Sequence, residues 1–413
     1  MRRGWPVVAA CAAGLVLALT GAPGVFGRPA LAGPLTPLTP LAGSAKGPQG
    51  VSAPPLPGPE PGCPARAGIA APAGLPWAQQ VLAFPAVWPL TRGAGVTVAV
   101  VDSGVDANPQ FGDRVILGPD LATKNAGHED QDCVGHGTSV ASIIAAAPAA
   151  GISFTGVAPA ARILSVKISD TDVFSDSVTP EAIRDAVELG ASVINLSLAT
   201  SSDSASLRSA VDFALSRNVV VVAAAGNDNA ENGTGPFYPA AYPGVLSVGA
   251  VGPDGSLASF SDTHTPVSVT APGVDITTAY PGTFPDAYDS AADGTSFAAA
   301  FVSGVVALVR AYHPGLDEAQ VVARIEATAD GPAGPGTGHG LINPLKAVTA
   351  PSQVKARATV TATEAKTSAM HVAQAQPPSR NADNLTLTVS AASFGLMILI
   401  LAVRTVTRRR PEG

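Results

Sequence analysis

A succession of Val- and Ile-rich runs, each of strand length, constrains this chain more than any other feature. Residues 95–101 (Gly-Val-Thr-Val-Ala-Val-Val) are continuously apolar and β-branched, as a strand buried on both faces of a parallel sheet must be. Residues 162–168, 191–196 and 219–225 repeat that character, and helix-like stretches at 180–189 and 204–217 separate them. Further strands are expected at 246–251 and 266–271, and helices at 296–311 and 317–328. Parallel neighbours need long crossover connections, so this alternation predicts an α/β fold with one parallel sheet and helices on both of its faces.

In open parallel sheets, functional groups gather where strands end at their carboxyl termini. The first strand runs into Asp102-Ser103-Gly104-Val105-Asp106. An acid there can also hold a ribose hydroxyl, but no G-x-G-x-x-G follows a preceding strand to support that use. Gly135-His136-Gly137-Thr138 then opens a helical stretch. Two glycines leave room for an imidazole to meet groups on both sides, although a structural histidine fits the same pattern. The strand at 219–225 leads into Gly226-Asn227, where an amide can donate to a substrate oxygen or simply make a turn. Asp293-Gly294-Thr295-Ser296 precedes an Ala- and Val-rich helix. Ser296 therefore falls at a helix N-terminus, which suits either a capping serine or a nucleophile beside unpaired N–H groups.

Each residue has a bland reading alone, and the combination has a sharper one. The order Asp102, His136, Ser296 is the subtilisin order of the Asp-His-Ser triad. Val100-Val101-Asp102-Ser103-Gly104, Gly135-His136-Gly137-Thr138, Ala224-Ala225-Gly226-Asn227 and Gly294-Thr295-Ser296 resemble the four signatures of the subtilases, over about residues 76–348. The resemblance implies a subtilisin-like fold and a serine endopeptidase that hydrolyses protein or peptide substrates without a cofactor. Ser296 is then the nucleophile, His136 the base and Asp102 its orienting carboxylate, with Asn227 and the Ser296 N–H in the oxyanion hole. By the same resemblance Ser197, Leu198 and Ala199 pair with substrate and, with Ala224, Ala225 and Gly226, border the S1 pocket. Ala199-Thr200 stands where many subtilases have two glycines, which implies a narrower pocket. Within the family an N-terminal signal, a Pro-rich arm with one cysteine, a second cysteine in Asp132-Cys133-Val134-Gly135-His136, a single C-terminal span, and Phe297-Ala298-Ala299-Ala300 without the proline that most subtilases carry after the nucleophile resemble the mycosins, membrane-anchored subtilases of type VII secretion systems. That likeness implies a type VII secretion membrane complex as partner.

The flanks predict export and anchoring. Arg2 and Arg3, an apolar run at 7–20 and Ala30-Leu31-Ala32 read as a secretory signal over 1–32. The apolar run continues past Cys11, unlike a lipoprotein box. Residues 33–75 have the Pro/Gly composition of an extended arm, either a propeptide or a wrap, and 76–349 form the catalytic domain. Residues 350–384 read as an extracytoplasmic linker and 385–403 as a transmembrane helix. A buried core helix is the alternative for that run, given Thr386, Thr388, Ser390 and Ser393. Residues 404–413 form a basic tail with Arg404, Arg408, Arg409 and Arg410, which puts the C-terminus in the cytoplasm and the catalytic domain outside. Export leaves Cys63 and Cys133 as an even pair suited to a disulfide; His128, Cys133 and His136 as a metal site is the competing reading, and no metal is assigned. With 13% charged residues and a net charge of -7, nothing is basic enough to indicate nucleic acid as a partner.

Overall fold

The computed structural model describes residues 68–122, 131–171, 174, 177–228, 235–281 and 287–351. The expected signal, most of the arm with Cys63, the linker beyond 351, the span at 385–403 and the basic tail lie outside the described residues. The chain divides into two units at Thr349/Ala350, and every element below belongs to the first.

The expected strands form. β1 (Thr97–Asp102), β3 (Arg162–Lys167), β4 (Val193–Leu196), β5 (Val220–Ala224), β6 (Leu246–Val251) and β7 (Val269–Pro272) join one sheet with β2 (Val115–Asp120), in the order β2-β3-β1-β4-β5-β6-β7. All six pairings are parallel. β1 and β4 are buried at every position, as their β-branched composition requires. β2 has no counterpart in the sequence reading: it is a half-exposed edge strand interrupted by Gly118 and Pro119. A small antiparallel pair, β8 (Ile276–Ala279) and β9 (Tyr288–Ala292), stands apart from the sheet. Ile69 exchanges two main-chain hydrogen bonds with Tyr288, so the arm expected to run to residue 75 already meets the domain there.

β1 lies between β3 and β4, with β2 beyond β3 on one flank and β5 to β7 in chain order on the other, so strand order changes direction beside β1, where the strands' carboxyl ends form a crevice. Helices α2 (His136–Ala145) and α5 (Thr295–Tyr312) share one apolar core with the sheet. α3 (Thr179–Glu188) and α4 (Ala205–Ser216) cover the opposite face. A short helix α1 (Trp77–Leu82) precedes the sheet, and α6 (Glu318–Thr328) and α7 (Pro344–Thr349) follow it. α6 begins with a capping box in which Asp317 and Gln320 satisfy each other's main-chain N–H groups.

α5 is long and apolar enough to cross a bilayer, yet 83% of it is buried against the sheet, as befits a core helix. Its position depends on contacts such as Phe301, which is 2% exposed. Phe301→Ala should lower stability by about 3–5 kcal/mol, read as a drop in the urea midpoint at unchanged slope.

Candidate active site

β1 delivers Asp102 to the crevice fully buried. A buried carboxylate needs donors, and Oδ1 accepts the Ser103 N–H at 2.8 Å. His136 supplies the rest: its Nδ1 lies 2.8 Å from Oδ1 and 3.0 Å from Oδ2. An Nδ1–H given to a carboxylate leaves Nε2 as the acceptor nitrogen. The ring packs between Phe174 and Phe297, with centroids at 5.9 and 5.6 Å, and its side chain remains 24% exposed toward the cavity.

Two glycines make this approach of α2 to β1 achievable. Gly135 has φ +88°, and a Cβ on it would fall 2.4 Å from the Tyr280 ring. A Cβ on Gly137 would lie 2.0 Å from the Gly104 carbonyl oxygen and 3.2 Å from Asp102 Cβ. The glycines flanking His136 therefore set how closely helix and strand approach.

Ser296 is the second residue of α5 and 8% exposed. Its hydroxyl donates to the Ser197 carbonyl at 3.2 Å, and the Ser197 hydroxyl donates to the Ser296 carbonyl at 3.0 Å. Asn195 Nδ2 donates to that same Ser197 oxygen at 2.8 Å, and Ser303 Oγ donates to Asn195 Oδ1 at 2.9 Å. These bonds fasten the carboxyl end of β4 to the first turns of α5. In the first turn of a helix, the Ser296 N–H has no intrahelical acceptor and sits at the positive end of the dipole.

Asn227 follows β5, and its side-chain orientation is fixed by its partners. Oδ1 accepts the Thr295 N–H at 2.8 Å and the Thr295 hydroxyl at 2.7 Å, which leaves Nδ2–H₂ as the group available to the cavity. Thr295 Oγ1 also accepts the Gly226 N–H at 3.3 Å.

His136, Ser296 and Asn227 line one cavity of about 470 Å³. Ser197, Leu198, Ala199, Ala224 and Gly226 line it as well, whereas Ala225 does not. Successive residues of extended chain face opposite sides, so Ala225 is fully buried, and its carbonyl accepts the Thr265 hydroxyl at 3.0 Å. Phe237 also lines the cavity, its ring lying where a side chain on Gly226 would go. Sequence reasoning missed Phe237 and Phe174, which carry no local signal. It also passed over Asp132, although an acid just ahead of a helix start is a recognisable one.

Cys133 is disulfide-bonded, and the expected partner Cys63 lies outside the described residues. Among the described residues no three His, Cys, Asp or Glu side chains are grouped to hold a metal ion; His128 is outside them.

A family model described as the subtilase family matches residues 93–358. A thermophilic serine proteinase of Bacillus sp. (strain AK1) is 40% identical over 269 residues, which are 63% of this chain and 64% of that protein. The chain thus spans slightly under two thirds of that relative's length. Mycosin-4 of Mycobacterium tuberculosis is 34% identical over 376 residues, 79% of this chain and 80% of the relative. Among solved structures, a chain of the periplasmic assembly from the ESX-5 inner membrane complex superposes with TM-score 0.60 at 29% identity, covering 79% of this chain and 97% of that one.

The Gly137 contacts yield a direct test of the site's packing. Gly137→Ala should cost about 1–3 kcal/mol in chemical denaturation, because the Gly104 carbonyl or the start of α2 has to move.

Proposed function

The chain belongs to the subtilase family, and on that premise we propose that it is a serine endopeptidase using Asp102, His136 and Ser296. The observation that carries this reading is the buried Asp102 carboxylate on His136 Nδ1, with His136, Ser296 and Asn227 around one cavity. Ser296 Oγ turns from the Ser197 carbonyl toward His136 Nε2 and attacks the peptide carbonyl carbon as Nε2 takes its proton. Asp102 holds the tautomer and stabilises the imidazolium. The carbonyl oxygen, now anionic, accepts from Asn227 Nδ2–H and the Ser296 N–H. His136 then protonates the leaving amine, and water releases the acyl group by the same steps in reverse order of roles.

Within the family, the proposed class is a mycosin anchored by residues 385–403, its catalytic domain outside the cytoplasmic membrane and Cys133 paired with Cys63 in the N-terminal arm. The long match to mycosin-4 and the flanking signal, arm and apolar segments support this. A second reading has a specific observation behind it: the match to a chain of the ESX-5 periplasmic assembly covers more of this chain than the family model does. On that reading the domain also serves as a structural part of a type VII secretion complex. A Ser296→Ala strain that still secretes normally would favour it over a role through cleavage.

A fluorophosphonate should modify Ser296 in the parent, read by peptide mass spectrometry, and leave Ser296→Ala unmodified. Labelling elsewhere, or none, would overturn the peptidase reading. Asn227→Ala should lower kcat by about 10²–10³-fold, a scale taken from the corresponding amide of subtilisin. Activity should fall as pH drops and the base nitrogen of His136 becomes protonated.

The Ala199 methyl in the cavity wall and the Phe237 ring against Gly226 support a shallow S1 pocket. A peptide-library profile should show small or medium P1 residues, and strong cleavage after Phe or Tyr would contradict this.

A further inference from the structure

Asp132 is a carboxylate 3% exposed that does not line the cavity, yet it binds both segments that make the Asp102–His136 contact. Its Oδ1 accepts the Ser103 hydroxyl at 2.8 Å and the Gly135 N–H at 2.6 Å, and its Oδ2 accepts the Thr138 N–H at 2.8 Å. Ser103 follows Asp102 at the exit of β1, whereas Gly135 and Thr138 bracket His136 at the start of α2. The Ser103 hydroxyl also accepts the Gly137 N–H at 3.0 Å and lies 3.2 Å from Asp102 Oδ1. A hydroxyl has one proton to give. With that proton on Asp132, the shorter of the two contacts, Asp102 Oδ1 keeps its charge for the imidazole.

We propose that Asp132 is a positioning residue for the Asp102–His136 pair: it locks the strand exit to the helix start and holds the Ser103 proton away from Asp102. Its surroundings are mixed in charge. Asp102 is reached through Ser103, and Asp106 follows on the same loop, its N–H given to Thr138 Oγ1 at 2.8 Å. Lys167 on β3 donates to the Gln131 carbonyl at 2.7 Å and pairs with Asp170 at 2.7 Å. Burial pushes the Asp132 carboxyl above its ordinary range, and the bonds from Thr138, Gly135 and Ser103 pull it back.

A carboxylate suits this place because three residues give it four donors, the Thr138 hydroxyl as well as the Thr138 N–H among them, and it offers none. Asparagine would turn an NH₂ toward one of them, leaving Gly135, Thr138 or Ser103 without its acceptor. The simpler role for such an acid is to stabilise the start of α2, which would affect folding alone. Positioning adds a second consequence. If the Ser103 proton swings to Asp102, or the contact lengthens, the imidazolium loses support and the pKa of His136 falls.

The kinetic arm of the test rests on the peptidase reading, and the spectroscopic arm does not. The full-length parent, Asp132→Asn, Ser103→Ala and the double variant would be compared by kcat, KM and the acid limb of kcat/KM on one peptide substrate. The low-field proton resonance of His136 Nδ1–H would be followed in the same samples. Asp132→Asn should lose about tenfold or more in kcat with KM within about threefold. Its acid limb should move to lower pH by about half a unit, and the resonance should shift upfield. Ser103→Ala has no proton to turn to Asp102 and removes only the hydroxyl that ties the strand exit to Asp132, so through the lengthened contact it should move both readouts in the same direction, and the double variant should be no worse than the worse single one.

An unchanged acid limb and resonance in Asp132→Asn, whatever its melting temperature, would overturn the proposal, as would additive losses. Should Asp132→Asn fail to fold, Ser103→Ala decides on the same readouts. A parent that cleaves no peptide, with variants that still move the resonance, would leave the positioning role standing and sink the peptidase reading.

Discussion

Burying the Asp102 carboxylate is the constraint around which the rest of the structure is arranged. An ionised carboxylate without solvent is costly unless donors surround it, and here they are the Ser103 N–H and the His136 Nδ1–H. Meeting that need draws the first turn of α2 onto the end of β1, closer than any residue but glycine at 137 would allow. The same contact fixes the tautomer of the ring and leaves its other nitrogen as an acceptor. On the proposed mechanism, a requirement of folding and a requirement of base catalysis are met by one hydrogen-bonded pair.

The second half of the site is built by a different device. α5 is an almost wholly buried helix, so the sheet determines where its N-terminus points. Hydrogen bonds between Ser197 and Ser296, continued through Asn195 to Ser303, tie that N-terminus to β4, and Thr295 ties it to Asn227 beyond β5. Three strand ends and two helix starts, far apart in sequence, are therefore held by bonds among small polar residues. Apart from Asn227, which is exposed at the cavity, these groups are buried and paired, which is the condition under which a polar network fixes a single geometry.

Much of this was legible in the sequence, for physical reasons. Strands buried on both faces must be continuously apolar, so β1, β3, β4, β5 and β6 announce themselves in runs of Val and Ile. β2 does not, because an edge strand tolerates Gly118, Pro119 and half-exposed positions. β8 and β9 are short and rich in Thr, Ser and Ala, with no alternation to read. Asp102, His136, Asn227 and Ser296 could be picked out because each lies at the end of a strand or the start of a helix. Ala225 was placed on the cavity although the alternation of extended chain turns it away. Phe237 and Phe174 reach the site only through tertiary packing, which no local pattern records.

The most direct test of the central claim is a crystal structure of the chain inactivated by a peptide aldehyde or fluorophosphonate. The account predicts a covalent bond to Ser296 Oγ, an oxygen within hydrogen-bonding distance of Asn227 Nδ2 and the Ser296 N–H, and His136 still bonded through Nδ1 to Asp102. An adduct on another residue, or one on Ser296 whose oxygen faces away from Asn227 while His136 has left Asp102, would contradict it.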